Sequence, residues 1–94
     1  MTSIQEAAIL AMMKTDLGII SSTTYDNRFK QIIASSVQSI TEEGATLDLE
    51  SAEDLQIVCM YSCWIWRRRD TGDGMPRMLR YALNNRIMKE KANG

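Results

Sequence analysis

Few residues in this chain have chemical reach. Two cysteines, Cys59 and Cys63, stand four apart, and no histidine occurs in the 94 residues. On a helix a four-residue step stacks two side chains one turn apart on the same face, where an intrachain disulfide is geometrically awkward. The spacing could supply two metal ligands, but a structural zinc ion is normally held by four. The cysteines are therefore read as small buried hydrophobes, and no metal or other cofactor is expected. Acid–base catalysis usually draws on a group that titrates near neutrality, most often histidine. Carboxylate pairs occur at Glu42/Glu43 and Glu53/Asp54, but neighbours in sequence point about 100° apart on a helix and do not converge. The turn Gly72, Asp73, Gly74 lacks the lysine and serine of a nucleotide-binding loop. No enzyme is expected.

Arginine is the remaining reactive type. Arg67, Arg68 and Arg69 run consecutively, with Arg77, Arg80 and Arg86 downstream. Such a run invites phosphate contacts, although on a helix the triplet points in three directions. The net charge of −1 hides an asymmetry. Residues 1–56 hold three basic groups against nine acidic, and residues 57–94 hold eight basic against three acidic. Acidic and basic parts could meet between neighbouring copies, or neutralise each other within one protomer.

These side chains need elements to hold them, and the pattern predicts one all-α domain spanning 1–94, a compact orthogonal bundle of four helices. A first helix over 3–16 starts at Ser3 with Glu6 completing a capping box, and Gly18 stops it. Its expected core stripe is Ile4, Ala7, Ala8, Ala11, Met12 and Thr15, widened by Leu10 and Met13. The second, over 24–43, has the cleanest periodicity: Tyr25, Phe29, Ile32, Ile33, Ser36, Val37 and Ile40 inward, Arg28, Gln31, Ser35 and Gln38 outward. After Gly44 an extended arm at 45–50 plugs Leu47 and Leu49 into the core. A third helix, 51–70, opens at Ser51 with Asp54 as its capping-box partner. A fourth, 76–89, carries Pro76 in its first turn and the core stripe Leu79, Ala82, Leu83 and Ile87. Residues 91–94 should fray. No apolar run approaches the roughly 18 residues that would span a bilayer, and the first residues lack a secretory signal, so no membrane association is expected.

The third helix is the unusual one. Leu55, Val58, Cys59, Ser62, Ile65 and Trp66 form one apolar face, while Ile57, Met60, Tyr61 and Trp64 cover most of the opposite side. A helix apolar nearly all round must be enclosed, and three other short helices do not easily enclose it. The fourth helix adds Met78, Tyr81 and Met88 away from its core stripe. Tryptophan, tyrosine, methionine and arginine are enriched at protein interfaces. The candidate interface residues are accordingly Tyr61, Trp64, Arg68, Tyr81 and Met88.

Two stretches carry a resemblance: Tyr61 to Arg69 (YSCWIWRRR) and Gly74 to Arg86 (GMPRMLRYALNNR). Their order of tyrosine, two small residues, tryptophan, arginine, proline, leucine and leucine–asparagine resembles the C-terminal half of the small head–tail connector proteins of long-tailed bacteriophages and prophages. Lys14 to Ile19, Tyr25 with Asp26, and Leu47 to Leu49 are compatible, so the likeness runs from about residue 9 to 88. It implies a structural protomer, without cofactor or catalysis, that joins a ring of copies at the head–tail junction of the virion. The implied partners are itself, the phage portal protein, and a tail-completion or other connector protein. Assembly would occur in the bacterial host cytoplasm, with DNA passing through the channel and touched only incidentally and non-specifically. The competing expectation is a small DNA-binding regulator using the last two helices as a helix-turn-helix.

Overall fold

The clearest periodicity gives the cleanest buried face. In the computed structural model, which describes residues 1–93, Phe29, Ile32, Ile33, Ser36 and Ile40 are buried along α2 (Asp26–Glu42), while Arg28, Gln31, Ser35 and Gln38 are exposed, as their spacing predicts. The other elements are α1 (Ser3–Leu17), α3 (Ala52–Thr71) and α4 (Arg77–Asn93), and no strand occurs among the described residues. The all-α four-helix architecture is thus as expected. The last helix runs past 89 through Asn93, where fraying was expected, and Gly94 lies outside the described residues.

Helix α3 is the centre. It packs against α1, α2 and α4, and α1 also packs on α2. From Asp54 to Cys63 it is enclosed on opposite sides, with Ile57, Val58, Cys59, Tyr61, Ser62 and Cys63 all buried. The expectation that three short helices would leave one side open fails along this stretch: α1 and α2 cover part of the circumference, and α4 with the arm covers more. Before Cys63 a narrow stripe at Glu53 and Gln56 reaches solvent, and beyond it the helix emerges, with Trp64, Ile65 and Trp66 half-buried and Arg67 to Arg69 exposed. Where α2 and α3 meet, small residues face each other. The Ser36 hydroxyl donates to the Ile32 carbonyl at 2.8 Å, and the Ser62 hydroxyl lies 3.0 Å from Ser36 Oγ and 2.8 Å from the Val58 carbonyl. Both hydroxyls are therefore satisfied, as burial demands.

Helix α1 is turned the other way from expectation. Its buried residues are Ile9 and Met13, with Leu10, Met12 and Leu17 packed partly against the core. Ile4, Ala7, Ala8, Ala11 and Thr15 face solvent. At 100° per residue the two sets lie on opposite sides of the helix. Since α1 is apolar on both sides, pattern alone could not choose. Burial favours the larger side chains, because apolar area removed from water sets the gain. The cap also shifts by one residue: Thr2, not Ser3, accepts from the Gln5 N–H at 3.1 Å, and Gln5 Oε1 accepts from the Thr2 N–H at 2.9 Å. Gly18 and Gly72 end α1 and α3 in the left-handed region, at φ 74° and 69°, which favours glycine.

The arm is positioned by charge as much as by packing. Ala45 is its buried residue, while Leu47 and Leu49 are half-buried against the core. Ser51 caps α3 without a side-chain hydrogen bond, and the Asp54 carboxylate, expected to complete a capping box, is engaged elsewhere. Asp54 Oδ2 accepts the Asp48 N–H at 2.7 Å, and the buried carboxylate meets Arg86 of α4 at Nε–Oδ1 2.8 Å and Nη2–Oδ2 3.3 Å. Arg86 also donates to the Thr46 carbonyl at 2.6 Å and to Glu90 at 2.9 Å. Asp54 first, then Glu90, holds the Arg86 guanidinium charged, above the ordinary arginine range. One guanidinium thus joins the arm, the start of α3 and the middle of α4.

Two stability measurements follow, both read from urea unfolding midpoints. Phe29→Ala should cost about 3–5 kcal/mol, since the ring is fully buried. Arg86→Met should cost a similar ~3–5 kcal/mol, because it strands a buried carboxylate; a loss below about 1 kcal/mol would mean that the arm and α3 hold without the pair.

Candidate protein-interface surfaces and the cysteine cleft

The five candidate interface residues fall into two groups. Tyr61, Trp64 and Arg68 form a stack along α3: the Tyr61 and Trp64 rings meet edge-on with centroids 5.4 Å apart, and the Arg68 guanidinium lies 4.7 Å over the Trp64 ring. Tyr61 is only 9% exposed, so the protomer shelters it and it is not an open contact residue. The reason is enclosure by the neighbouring helices, which the sequence reading undercounted. Trp64 is half-buried, and its indole N–H donates to the Asp73 carbonyl at 3.3 Å. Arg68 alone of the three is exposed. A parallel arrangement shelters Trp66, which packs edge-on against Phe29 at 4.7 Å and carries Arg69 at 3.5 Å over its ring.

Tyr81 and Met88, by contrast, stand in solvent. Met78, Tyr81 and Met88 are 76%, 62% and 67% exposed. With exposed Asn85 they fall within an arc of about 80° on α4, turned away from the buried Leu79 and Leu83. The second outward apolar stripe is the one on α1, where Ile4 is 83% exposed and Ala7, Ala8 and Ala11 are exposed beside it. These stripes differ in relief. One presents long flexible side chains and a ring, the other a nearly flat row of methyl groups.

The charge asymmetry is resolved in part within the chain. Arg80 pairs with Glu43 at 2.8 Å, Arg86 with Asp54 at 2.8 Å, and Lys89 with Glu53 at 3.0 Å. On the helical wheel Arg80 and Lys89 flank the core stripe of α4 from opposite sides, with Arg86 inside it. The carboxylate pairs at Glu42/Glu43 and Glu53/Asp54 thereby supply partners for α4. The outer two pairs are exposed and contribute little individually. Arg67 donates to the Asp16 carbonyl at 3.3 Å.

One grouping escaped the sequence reading. Asp16, at the end of α1, stands beside the two cysteines of α3, and the three ligand-type atoms lie within 4.8 Å of one another. Cys59 Sγ donates to Asp16 Oδ2 at 3.4 Å. Hydrogen bonding to Cys63, then burial, pushes the Cys59 thiol above the ordinary thiol range. The same bond from Cys59 pulls Cys63 down, with Arg67 adding attraction and burial opposing. Asp16 and Cys63 open onto a cleft of about 410 Å³ lined also by Trp64, Arg67, Pro76 and Leu79. No signal in the sequence joins Asp16 to residues 43 and 47 positions later; only the packing of α1 on α3 brings them together.

The stripe and the stack respond differently to truncation. Met78→Ser, Tyr81→Ser and Met88→Ser should each leave the melting of the isolated protomer within about 0.5 kcal/mol of wild type, whereas Tyr61→Ala should cost roughly 3 kcal/mol. Equal losses at Tyr81 and Tyr61 would mean that the α4 stripe is buried in solution. Comparison of the chain with known protein families, with curated proteins and with solved structures found no match.

Proposed function

We propose that this chain is a structural assembly protein of tailed bacteriophages, a head–tail connector whose copies pack side by side in a ring between the portal and the tail-completion proteins. The observation that carries this reading is the pair of outward apolar stripes, Met78/Tyr81/Met88 on α4 and Ile4/Ala7/Ala8/Ala11 on α1. The protomer already has a closed core, so these stripes are surplus to folding, and apolar patches of this kind mark contact with other macromolecules. Their unlike relief favours a heterologous contact, α4 of one copy on α1 of the next, and such contacts form a ring where the rotation between copies closes and an open filament where it does not. The resemblance of residues 61–86 to phage connectors adds the location at the virion's DNA exit.

Charge does not drive the contact in this reading, since three cations of α4 are matched by carboxylates of the same chain. That pairing also weighs against the DNA-binding regulator. A recognition helix reads bases with outward cations and polar groups; α4 turns Arg77, Asn84, Asn85 and Lys91 outward but intersperses them with Met78, Tyr81 and Met88.

Light scattering after size exclusion tests self-association. The protein should form oligomers with rising concentration, and these should persist at about 0.5 M salt, where exposed charges are screened. Tyr81→Arg and Met88→Arg should return it to monomer and abolish co-purification with the portal. A protein monomeric at all concentrations that also fails to bind portal is not a connector. A random-duplex gel shift with a steep salt slope would instead favour the regulator.

A further inference from the structure

We propose that Asp16, Cys59 and Cys63 form a three-ligand site for a thiophilic divalent cation such as Zn²⁺, with the fourth position open to the adjoining cleft. This inference is independent of the connector reading. Its basis is a convergence from two helices. The cysteines stand one turn apart on one face of α3, and Asp16 at the end of α1 brings a carboxylate to the same point, all three ligand atoms lying within 4.8 Å of one another. Tetrahedral zinc with sulfur at about 2.3 Å and oxygen at about 2.0–2.2 Å sets its ligand atoms roughly 3.5–3.8 Å apart. Cys59 Sγ and Asp16 Oδ2 already lie 3.4 Å apart, and the widest separation exceeds the tetrahedral span by at most about an ångström. Both cysteines are free thiols, so both sulfurs are available.

The surroundings suit such an ion. Asp16 is exposed and Cys63 lies in the wall of the cleft of about 410 Å³, which gives an entry path and room for a water or a fourth donor. On binding, each thiol releases its proton to solvent and its sulfur forms a bond to the metal. Two thiolates and a carboxylate around a divalent cation leave one negative charge, and Arg67 stands beside them, donating to the Asp16 carbonyl at 3.3 Å and lining the same cleft. Three protein ligands with one open position is the arrangement of an exchangeable or catalytic zinc site, whereas structural sites are closed by four. The ion would also tie the end of α1 to α3.

Cobalt(II) titration of the untagged, reduced full chain tests the site. With no histidine in the chain, a thiolate-to-cobalt charge-transfer band with tetrahedral d–d absorption can come only from the cysteines. Wild type should take up one equivalent with both features, and Zn²⁺ should displace it and raise the melting temperature. Cys63→Ser should abolish the charge-transfer band or reduce it sharply. Asp16→Asn changes an exposed residue and keeps the fold. It should weaken Co²⁺ binding at least tenfold and remove most of the Zn²⁺-dependent rise in melting temperature. Absence of the band in wild type, or unchanged affinity in Asp16→Asn, overturns the proposal.

Discussion

A helix that is apolar on opposite sides cannot lie at a surface without exposing what it should hide, and that constraint organises this protein. From Asp54 to Cys63 α3 is covered on opposite sides by the other three helices and the arm, with Gln56 left in solvent. Enclosing it commits the inward faces of α1, α2 and α4, so each outer helix has only its far side left. On α2 that side is polar. On α1 it is mostly apolar, and on α4 Met78, Tyr81 and Met88 are interspersed with exposed Arg77, Asn84, Asn85 and Lys91. The surplus apolar surface is therefore real, but it has moved from the central helix to its neighbours. The molecule measures 41 × 30 × 18 Å, a slab about two helices thick, in which outer helices keep one face bare.

Within that frame the Asp54–Arg86 pair does what packing alone would leave undone. Helix α4 packs on α3 and is reached by a short linker, so its rotation about its own axis has to be fixed by specific contacts. Arg86 sits inside the apolar stripe and bonds the buried carboxylate, the arm carbonyl and Glu90 at once. Buried ion pairs often add little net stability, since desolvation offsets attraction, yet breaking one is costly. Here the pair specifies register: rotating α4 away would leave the buried Asp54 carboxylate without its partner.

How much of this was legible in the sequence varied with the contrast between faces. Helix α2 was legible almost residue by residue, because Phe29, Ile33 and Ile40 alternate with Arg28, Gln31 and Gln38; Tyr25, expected inward, lies just before the helix and is 44% exposed. Helix α1 was read as the right element facing the wrong way, because Ile4, Ala7, Ala8 and Ala11 make as regular a stripe as Ile9 and Met13. Side-chain size, not spacing, decided it. Asp54 was assigned to capping on a local pattern, while its partner lay 32 residues away on another helix. Tyr61 is sheltered by tertiary packing, which the periodicity of α3 alone does not reveal. Tyr81 and Met88 were placed outside correctly, since α4 already had a complete inward stripe. Asp16 beside Cys59 and Cys63 was invisible for the same reason as the ion pair: tertiary proximity leaves no local trace.

The clamp on α4 bears on more than folding. In the proposed ring, the angle between the α1 and α4 stripes of one protomer sets the turn from each copy to the next, and hence how many copies close the circle. Its fixation comes chiefly from Arg86, Arg80 and Lys89 and their carboxylates. Substitutions at the two exposed pairs would then tilt the helix by a few degrees rather than unfold the chain. In the proposed ring, small tilts of that kind would alter symmetry and pore diameter, so residues that touch neither the neighbour nor the DNA would bear on the number of subunits.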